Sequence, residues 1–364
     1  NTSVSRLESY SRCPFSYFIE YTLKAKERKI LKIGAPDIGS IMHAVLERFT
    51  KLIEHEHISW TQIDEEYIQS AISAIMDDLG EKIFRGSALD GKSSRYVMLR
   101  LKRNLIRCAK LLVMHIASGS FEPAGSEVRF GDDGEIEAVV MDLSSGKKLK
   151  IRGMIDRIDK CETPDGTYYR VIDYKSGRKS FSLENVYNAL DLQLVVYLEA
   201  AMQNDKKAKP AGMLYFHIHE PMKRTETRLT QQEAEDEYNK MMKLDGLLLN
   251  DEEVLRSMDK NLNSGFLPVS MTKSGEIRIT KSLATMSRFE VLFRYVKSEL
   301  KKIGDSISSG KIDIMPCRSG GASPCSYCAY KCVCKFDVTK DNNSYRECRS
   351  AGNDELWEMM NGRE

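Results

Sequence analysis

The sequence has little of several features that would assign it to a specialised class. Its 9 prolines and 23 glycines among 364 residues are too few for a collagen-like or disordered chain. Its longest apolar runs fall well short of the ~20 residues that a membrane helix requires. Lysine and arginine barely outnumber aspartate and glutamate, 55 against 53, so any nucleic-acid surface must be a local patch.

The start of the chain, NTSVSRLESY, lacks an initiating methionine and the apolar core of a signal peptide. We therefore expect a processed chain or a segment of a longer protein, located in the cytoplasm and without a membrane partner. With 41% hydrophobic and 30% charged residues, the composition is that of a globular protein. The sequence contains no internal repeat or low-complexity linker, which favours one compact α/β unit with a helical insertion.

Apolar periodicity predicts which segments form helices and which form strands. Helices are predicted over 35–60, 64–84, 95–117, 183–203, 230–262 and 284–308. Strands are predicted over 126–130, 135–143, 148–160, 167–177 and 209–221. The helix over 183–203 is apolar on nearly every side, so we expect it to be buried.

The most informative segment is a predicted β-hairpin, GMIDRIDKCETPDGTYYRVIDYKSG. Residues 164–165 suit a tight two-residue turn. That turn would place Asp156 opposite Asp173 and Asp159 opposite Arg170, with the Cβ atoms of each pair ~5 Å apart. A bulge at the glycine after the turn would shift this register by one residue.

Two facing carboxylates in this hairpin repel each other unless a cation lies between them. Lys175 lies two residues beyond Asp173 and therefore points to the same face of the strand. Together with Asp156, these side chains could hold a divalent metal and orient a water molecule beside it, and the metal would lower the pKa of that water. The alternative is a solvated surface hairpin with a salt-bridged lysine.

The hairpin and the helix that follows it resemble the PD-(D/E)XK nucleases of the RecB type. The resemblance implies a central mixed sheet flanked by helices, and cleavage of DNA that depends on Mg²⁺ or Mn²⁺. By this resemblance, the metal ligands would be His43, Asp156, Asp173 and the backbone carbonyl of Tyr174. Lys175 would position or activate the water, while Gln193 and Tyr197, one helical turn apart, would orient the site and the strand being cut.

The nine cysteines argue against a disulfide framework, because their number is odd and the chain has no secretory signal;. Four of them crowd into PCSYCAYKCVCKF, as in a metal site. Cys325, Cys328 and Cys334 supply three thiolates. The fourth could be the nearby Cys332, which would make a zinc knuckle, or the distant Cys13, which would join the two ends of the chain.

The segments around these cysteines, SRLESYSRCPFSYF and PCSYCAYKCVCKFD, resemble the two ends of AddB-family nuclease domains, which belong to AddAB helicase–nucleases. The resemblance covers nearly the whole chain. It implies a 4Fe–4S cluster held by Cys13, Cys325, Cys328 and Cys334, with Cys332 left over. It also divides the chain into an N-terminal arm with one cluster cysteine (1–34), a RecB-type nuclease core with helical insertions (35–310), and a C-terminal cysteine segment and tail (311–364).

The function implied by this resemblance is exonucleolytic hydrolysis of DNA at double-strand breaks, with DNA ends or single strands as substrate and an AddA-like helicase subunit as partner. One alternative is a stand-alone RecB-type exonuclease of CRISPR adaptation, although those are usually shorter. The other is a non-catalytic DNA-end-binding module, against which the intact set of aspartates, lysine and glutamine argues.

Two further patterns have less specific interpretations. Residues 86–93 match GxxxxGK(S/T), but a helical segment precedes them where a nucleotide-binding loop would follow a strand, so we interpret them as an inter-helix loop. Basic residues that could contact DNA phosphates, or simply be solvated, are Arg100, Arg103, Arg107 and Lys110 on the third predicted helix and Lys24, Lys26, Arg28, Lys29 and Lys32 near the start.

Overall fold

The computed structural model describes residues 1–26, 35–84, 92–177, 179–218, 229–262, 264–340 and 343–362. Three of the basic residues near the start, Arg28, Lys29 and Lys32, and most of the GxxxxGK(S/T) match lie outside the described residues. The helices are α1 Val4–Arg12, α2 Pro14–Tyr17, α3 Ala35–Glu56, α4 Glu65–Phe84, α5 Lys92–Ala117, α6 Leu183–Tyr187, α7 Gln193–Met202, α8 Gln231–Met241, α9 Glu252–Met258, α10 Met286–Ser308, α11 Lys331–Cys334 and α12 Asn353–Asn361. The strands are β1 Thr2–Ser3, β2 Glu122–Phe130, β3 Val139–Asp142, β4 Lys148–Thr163, β5 Gly166–Lys175, β6 Ala208–His217, β7 Asp245–Leu249, β8 Leu283–Ala284, β9 Cys317–Arg318 and β10 Arg346–Glu347.

Eight strands form a mixed central sheet in which β4 to β8 lie side by side in the order β4-β5-β6-β7-β8. The long strand β4 pairs with β5 along one edge and with β1, β2 and β3 along the other. Strands β5 and β6 are parallel, so the chain between them must cross over, and it does so through α6 and α7. The α/β class predicted from the sequence is confirmed.

Helix α7 is the buried helix that the sequence predicts, and it packs on β5 and β6. Its buried residues are Leu194, Val195, Val196, Tyr197, Leu198, Ala200 and Ala201. Because apolar side chains cover most of its surface, the helix is fixed between the sheet and α10;. Its first residue, Gln193, therefore has a fixed position beside the carboxyl end of β5.

Two predicted helices differ from the structure. The segment 183–203 forms two helices rather than one, because Ala189 adopts a left-handed conformation (φ 57°) that ends the first;. The segment 230–262 is interrupted by β7, whose three leucines are buried in the sheet. Gly246 allows this strand to approach β6, since a Cβ atom there would lie 2.1 Å from the Met213 carbonyl oxygen.

The two ends of the chain meet beside the sheet. Strand β1 pairs in parallel with β4, and α1 packs against α7 and α10. The Tyr10 hydroxyl donates to the Lys311 carbonyl oxygen (2.9 Å), and the Arg346 guanidinium donates to the Ser11 carbonyl oxygen (2.6 Å). None of the helices in the described part of the chain is long and apolar enough to span a membrane.

Candidate active site and cysteine-lined cavity

The hairpin of β4 and β5 has the register that a two-residue turn predicts. Thr163 pairs with Gly166 across the turn, and Asp159 pairs with Arg170, so no bulge shifts the strands. The pairing ends one step before the two aspartates, which are therefore not the direct ladder pair that we predicted. Asp156 instead accepts a hydrogen bond from the backbone N–H of Tyr174 at Oδ2 (2.6 Å).

Three side chains from three different elements bring their ligand atoms within 4.8 Å of one another: His43 of α3, Glu127 of β2 and Asp156 of β4. The Nδ1 atom of His43 lies 3.5 Å from Asp156 Oδ2 and 3.8 Å from Glu127 Oε1. This is the only group of three or more His, Cys, Asp or Glu side chains that close together in the described ranges. The structure therefore brings two of the predicted metal ligands together and adds a carboxylate.

Glu127 is the site residue that the sequence analysis missed. Its neighbours Ser126 and Val128 pair with residues on either side of Asp156, so Glu127 lies opposite that aspartate. Its backbone is left-handed (φ 53°), which is a strained conformation for a side chain of this kind within a strand. The only signal in the sequence is an acidic residue in SEVRF, and it has meaning only once β2 is known to pair with β4.

The electrostatics of the group follow from crowded carboxylates in a partly buried position. Burial opposes protonation of His43, but hydrogen bonds and charges from Asp156 and Glu127 outweigh it and raise the pKa of His43 to about 10. Burial, with the charge of Asp156, raises the pKa of Asp173 to about 7, although Lys175 and Lys179 act in the opposite direction. Negative charge here is in excess, and a cation would stabilise it.

The remaining predicted catalytic side chains form a closed network around Asp173. The Lys175 ammonium contacts the Asp173 carboxylate and donates to Gln193 Oε1 (3.1 Å). Gln193 Nε2 donates to Asp173 Oδ1 (2.9 Å) and to the Tyr197 hydroxyl (3.0 Å). Gln193 thus holds both the lysine and the aspartate, and Tyr197 is connected to them through it.

The donor set fits a divalent metal ion. Asp173 Oδ2 is buried and, apart from its contact with Lys175, accepts no hydrogen bond of normal geometry, so a lone pair is available. Carboxylate oxygens suit Mg²⁺, and an imidazole beside them also suits Mn²⁺. Tyr174, whose carbonyl was predicted as a ligand, has a buried ring that packs edge-on against His43 (5.8 Å between ring centroids).

The basic stripe lies apart from this site, on the exposed face of α5. Arg100, Arg103 and Arg107 are all exposed. The Arg107 guanidinium lies over the ring of Tyr238 on α8, 5.1 Å from its centroid. At least this arginine therefore has a packing role within the chain, and a contact of the stripe with DNA remains a prediction.

A cavity of about 1200 Å³ separates the N-terminal arm from the C-terminal segment. It is lined by four cysteines, Cys13, Cys325, Cys328 and Cys334, and not by Cys332, which is exposed. Burial raises the pKa of the Cys13 thiol, and the nearby Cys325 and Cys328 raise it further. The cysteines selected by the resemblance are thus gathered at one place, and their number and chemistry fit a cubane cluster.

The fold and the carboxylate site define the class of this protein. A family model described as the PD-(D/E)XK nuclease superfamily matches residues 1–335, so the chain belongs to that superfamily. The chain is also similar to three proteins named as one subunit of an ATP-dependent helicase/deoxyribonuclease, which confirms the resemblance to AddB-family domains.

The similarity to these relatives extends over nearly the whole chain. It is 39% identical over 99% of its length to the protein from Acetivibrio thermocellus, 38% over 98% to that from Clostridium novyi and 40% over 99% to that from Clostridium tetani. The chain spans about a third of the length of these relatives, 32% of each.

Proposed function

We propose that this chain is the nuclease domain of an AddB-type helicase–nuclease component, a metal-dependent deoxyribonuclease acting on DNA ends during double-strand-break resection and recombinational repair. The observation that carries the proposal is the continuous site formed by the His43–Glu127–Asp156 group and the Asp173–Lys175–Gln193 network. The names of the relatives, which include both helicase and deoxyribonuclease, support this assignment and imply an AddA-like helicase partner.

The metal proposed for this site is Mg²⁺, with Mn²⁺ as a substitute. His43, Glu127, Asp156, Asp173 and the Tyr174 carbonyl would hold it. When bound, it would supply positive charge to the phosphate and lower the pKa of a water molecule.

The chain's own residues would then orient the reacting groups. Lys175 is held by Gln193 Oε1 and by Asp173, so its ammonium can hold an attacking water or balance charge on the phosphate. Gln193 fixes the side-chain rotamers of both neighbours, and Tyr197 lies beside it to orient the strand. Because these contacts are already formed, little reorganisation is required when the substrate binds.

DNA would be held mainly through its phosphates, without reading of the base sequence. The exposed Arg100, Arg103 and Arg107 on α5 are the proposed phosphate contacts;. The small net charge of +2 means that such binding would depend on this local stripe and be weakened by salt. We place the protein in the cytoplasm, where its proposed substrate is found in bacteria.

The second proposed cofactor is a 4Fe–4S cluster in the cysteine-lined cavity. A tetrahedral zinc site has Zn–S bonds of ~2.3 Å, which puts its sulfurs ~3.8 Å apart. In the described residues, no group of three cysteines meets even a 4.8 Å limit, which favours the larger cluster. We propose a structural role, since the cluster would join Cys13 to a segment some three hundred residues away;.

The proposed function is tested by incubating the chain with end-labelled single- and double-stranded DNA in Mg²⁺, in Mn²⁺ and in EDTA. We expect cleavage in both metals and none in EDTA. Asp173→Ala should reduce cleavage by about 10³-fold or more, because it removes a metal ligand. Asp142→Ala, at an exposed aspartate on β3, is the matched control and should cleave normally. Cleavage in EDTA, or a near-normal rate for Asp173→Ala in Mg²⁺, would overturn the assignment.

A further inference from the structure

The helix that carries Gln193 begins without a capping residue of its own. The position before α7 is Leu192, whose side chain cannot accept a hydrogen bond. The first backbone N–H groups of a helix have no partner inside the helix, and here they are buried, since Leu192 is fully buried. Buried N–H groups without a partner are costly, so an acceptor must come from elsewhere in the chain.

Glu8 of α1 supplies that acceptor. Its Oε1 atom accepts hydrogen bonds from the backbone N–H of Leu192 (2.8 Å) and of Gln193 (3.2 Å). Its other oxygen lies 3.6 Å from the Arg12 guanidinium. A carboxylate at a helix N-terminus also interacts favourably with the helix dipole. Glu8 is only 4% exposed, so its charge is held where desolvation is expensive.

The position of this cap matters because Gln193 is both the first residue of α7 and the centre of the Asp173–Lys175 network. Its backbone is fixed by Glu8, and its side chain holds Asp173 and Lys175. A small shift at the start of the helix would therefore be transmitted to three side chains of the site. Glu8 hydrogen-bonds the backbone of α7 rather than those side chains, so its effect on them passes through the helix.

We propose that Glu8 is a positioning residue of the nuclease site, acting through Gln193. The inference rests on the proposed function and extends it to the N-terminal arm. Helix α1 continues from Glu8 to Arg12, and the next residue is Cys13 of the cysteine-lined cavity. One short helix thus supports the catalytic glutamine from its middle and a proposed cluster ligand from its end.

The test compares Glu8→Ala and Glu8→Gln with Tyr10→Phe, in kcat and KM for end-labelled DNA. Glu8→Ala should lower kcat by about 10- to 100-fold with little change in KM, because the site is displaced while DNA contacts remain. Glu8→Gln keeps an acceptor oxygen and should recover most of the rate. Tyr10→Phe removes a hydrogen bond from the same helix that leads away from the site and should retain the normal rate.

A double-mutant cycle separates positioning from general support of the fold. If Glu8 acts through Gln193, adding Glu8→Ala to Gln193→Ala should cost little beyond Gln193→Ala alone. Multiplicative losses would overturn the inference, as would a lower melting temperature for Glu8→Ala with unchanged kcat.

Amide hydrogen exchange provides a readout that does not require cleavage. Glu8→Ala should accelerate exchange at the amides of Leu192 and Gln193, whereas Tyr10→Phe should not. Unchanged exchange at these amides would overturn the inference whether or not the chain cleaves DNA. An inactive wild-type chain with accelerated exchange in Glu8→Ala would count against the proposed function and leave the cap intact.

Discussion

The side chains of the candidate active site project from long strands and helices, whereas three of the cavity's four cysteines lie in short turns. Asp156 and Asp173 are 8% and 2% exposed on β4 and β5, which pair along most of their length. Cys325 and Cys328 lie in and beside a four-residue 3₁₀ turn, and Cys334 ends the four-residue α11. The cysteine turns contain no buried residues, and Tyr327 between them is 96% exposed.

This difference indicates how each region keeps its geometry. The carboxylate site is preorganised by backbone pairing and core packing, so it should persist when no metal is bound. The cysteine turns bury too little apolar surface to order themselves, and their geometry must come mainly from what the thiolates bind. Loss of a ligand should therefore affect chemistry in the first region and stability in the second.

A buried ionic network beneath the hairpin reinforces the first region. Asp159 Oδ2 accepts hydrogen bonds from Arg157 and Arg170, each at 2.8 Å, and all three side chains are 1% exposed or less. Arg170 also lies over the ring of Phe121, 4.7 Å from its centroid. Removing one member would leave an uncompensated charge in the core, at a cost of about 3–5 kcal/mol, so this network locks the hairpin in place.

The largest effect that would sharpen the comparison is expected from Lys175→Ala. The Lys175 side chain is 22% exposed and contributes little to the core, so the melting temperature should remain close to that of the unchanged chain. The cleavage rate in Mg²⁺ should fall by about 10²- to 10⁴-fold, because the group that positions the water or balances the phosphate charge is lost. Lys150→Ala, at a partly exposed lysine on β4, is the control. A large loss of stability with a near-normal rate would reverse the roles of the two regions.

The next largest effect is the reverse case, Cys13→Ala. The unchanged chain, purified without oxygen, should be brown and contain about four irons. Cys13→Ala should lose this iron, melt about 5 °C lower or more and be cut by proteases at both ends. Its cleavage rate should fall less than that of Lys175→Ala.

Cys332→Ala is the matched control for this prediction, because Cys332 does not line the cavity. It should retain both iron and stability. A colourless chain with one zinc that Cys332→Ala loses and Cys13→Ala keeps would show that no clamp joins the two ends.

The hairpin could be predicted from the sequence because its information is local. The turn type fixes the pairing, and this correctly placed Asp159 opposite Arg170 across eleven residues;. Helices α3, α4, α5 and α10 were predicted closely for the same reason, since their apolar stripes repeat within a few residues;. The resemblance then supplied Gln193 and Tyr197, which the structure joins to the hairpin.

The parts that could not be predicted depend on contacts between distant segments. Glu127 becomes a site residue only through the pairing of β2 with β4. Strand β7 is a strand because Gly246 lets it approach β6, whereas its sequence in isolation is as compatible with a helix. The break before Gln193 depends on Glu8, 185 residues earlier. In each case tertiary contacts override local propensity.

The smallest expected effect concerns the pH dependence of stability and the buried His115 of α5. Its Nδ1 atom lies 3.2 Å from the Arg157 guanidinium, which can only donate, so Nδ1 accepts and the ring is neutral. Burial lowers the pKa of His115 well below its usual 6.5, and the charges of Arg170 and Arg157 lower it further. The folded chain therefore keeps this ring neutral, while the unfolded chain protonates it below about pH 6.5.

Because the unfolded state binds the extra proton, the contribution of His115 to stability is complete above about pH 6.5 and is lost as the pH falls below that value. One such group costs about 1.4 kcal/mol at one pH unit below its unfolded pKa. His115→Gln keeps an acceptor for Arg157 and does not titrate. Urea unfolding at about pH 7.5 and about pH 5.5 should therefore show a loss of stability that is smaller in His115→Gln by about 1 kcal/mol. Equal losses in the two proteins would mean that His115 is not held neutral beneath the hairpin. A difference in iron content between them would mean that the buried network and the cysteine region are not independent, since His115 lies on the sheet side, away from the cysteine-lined cavity.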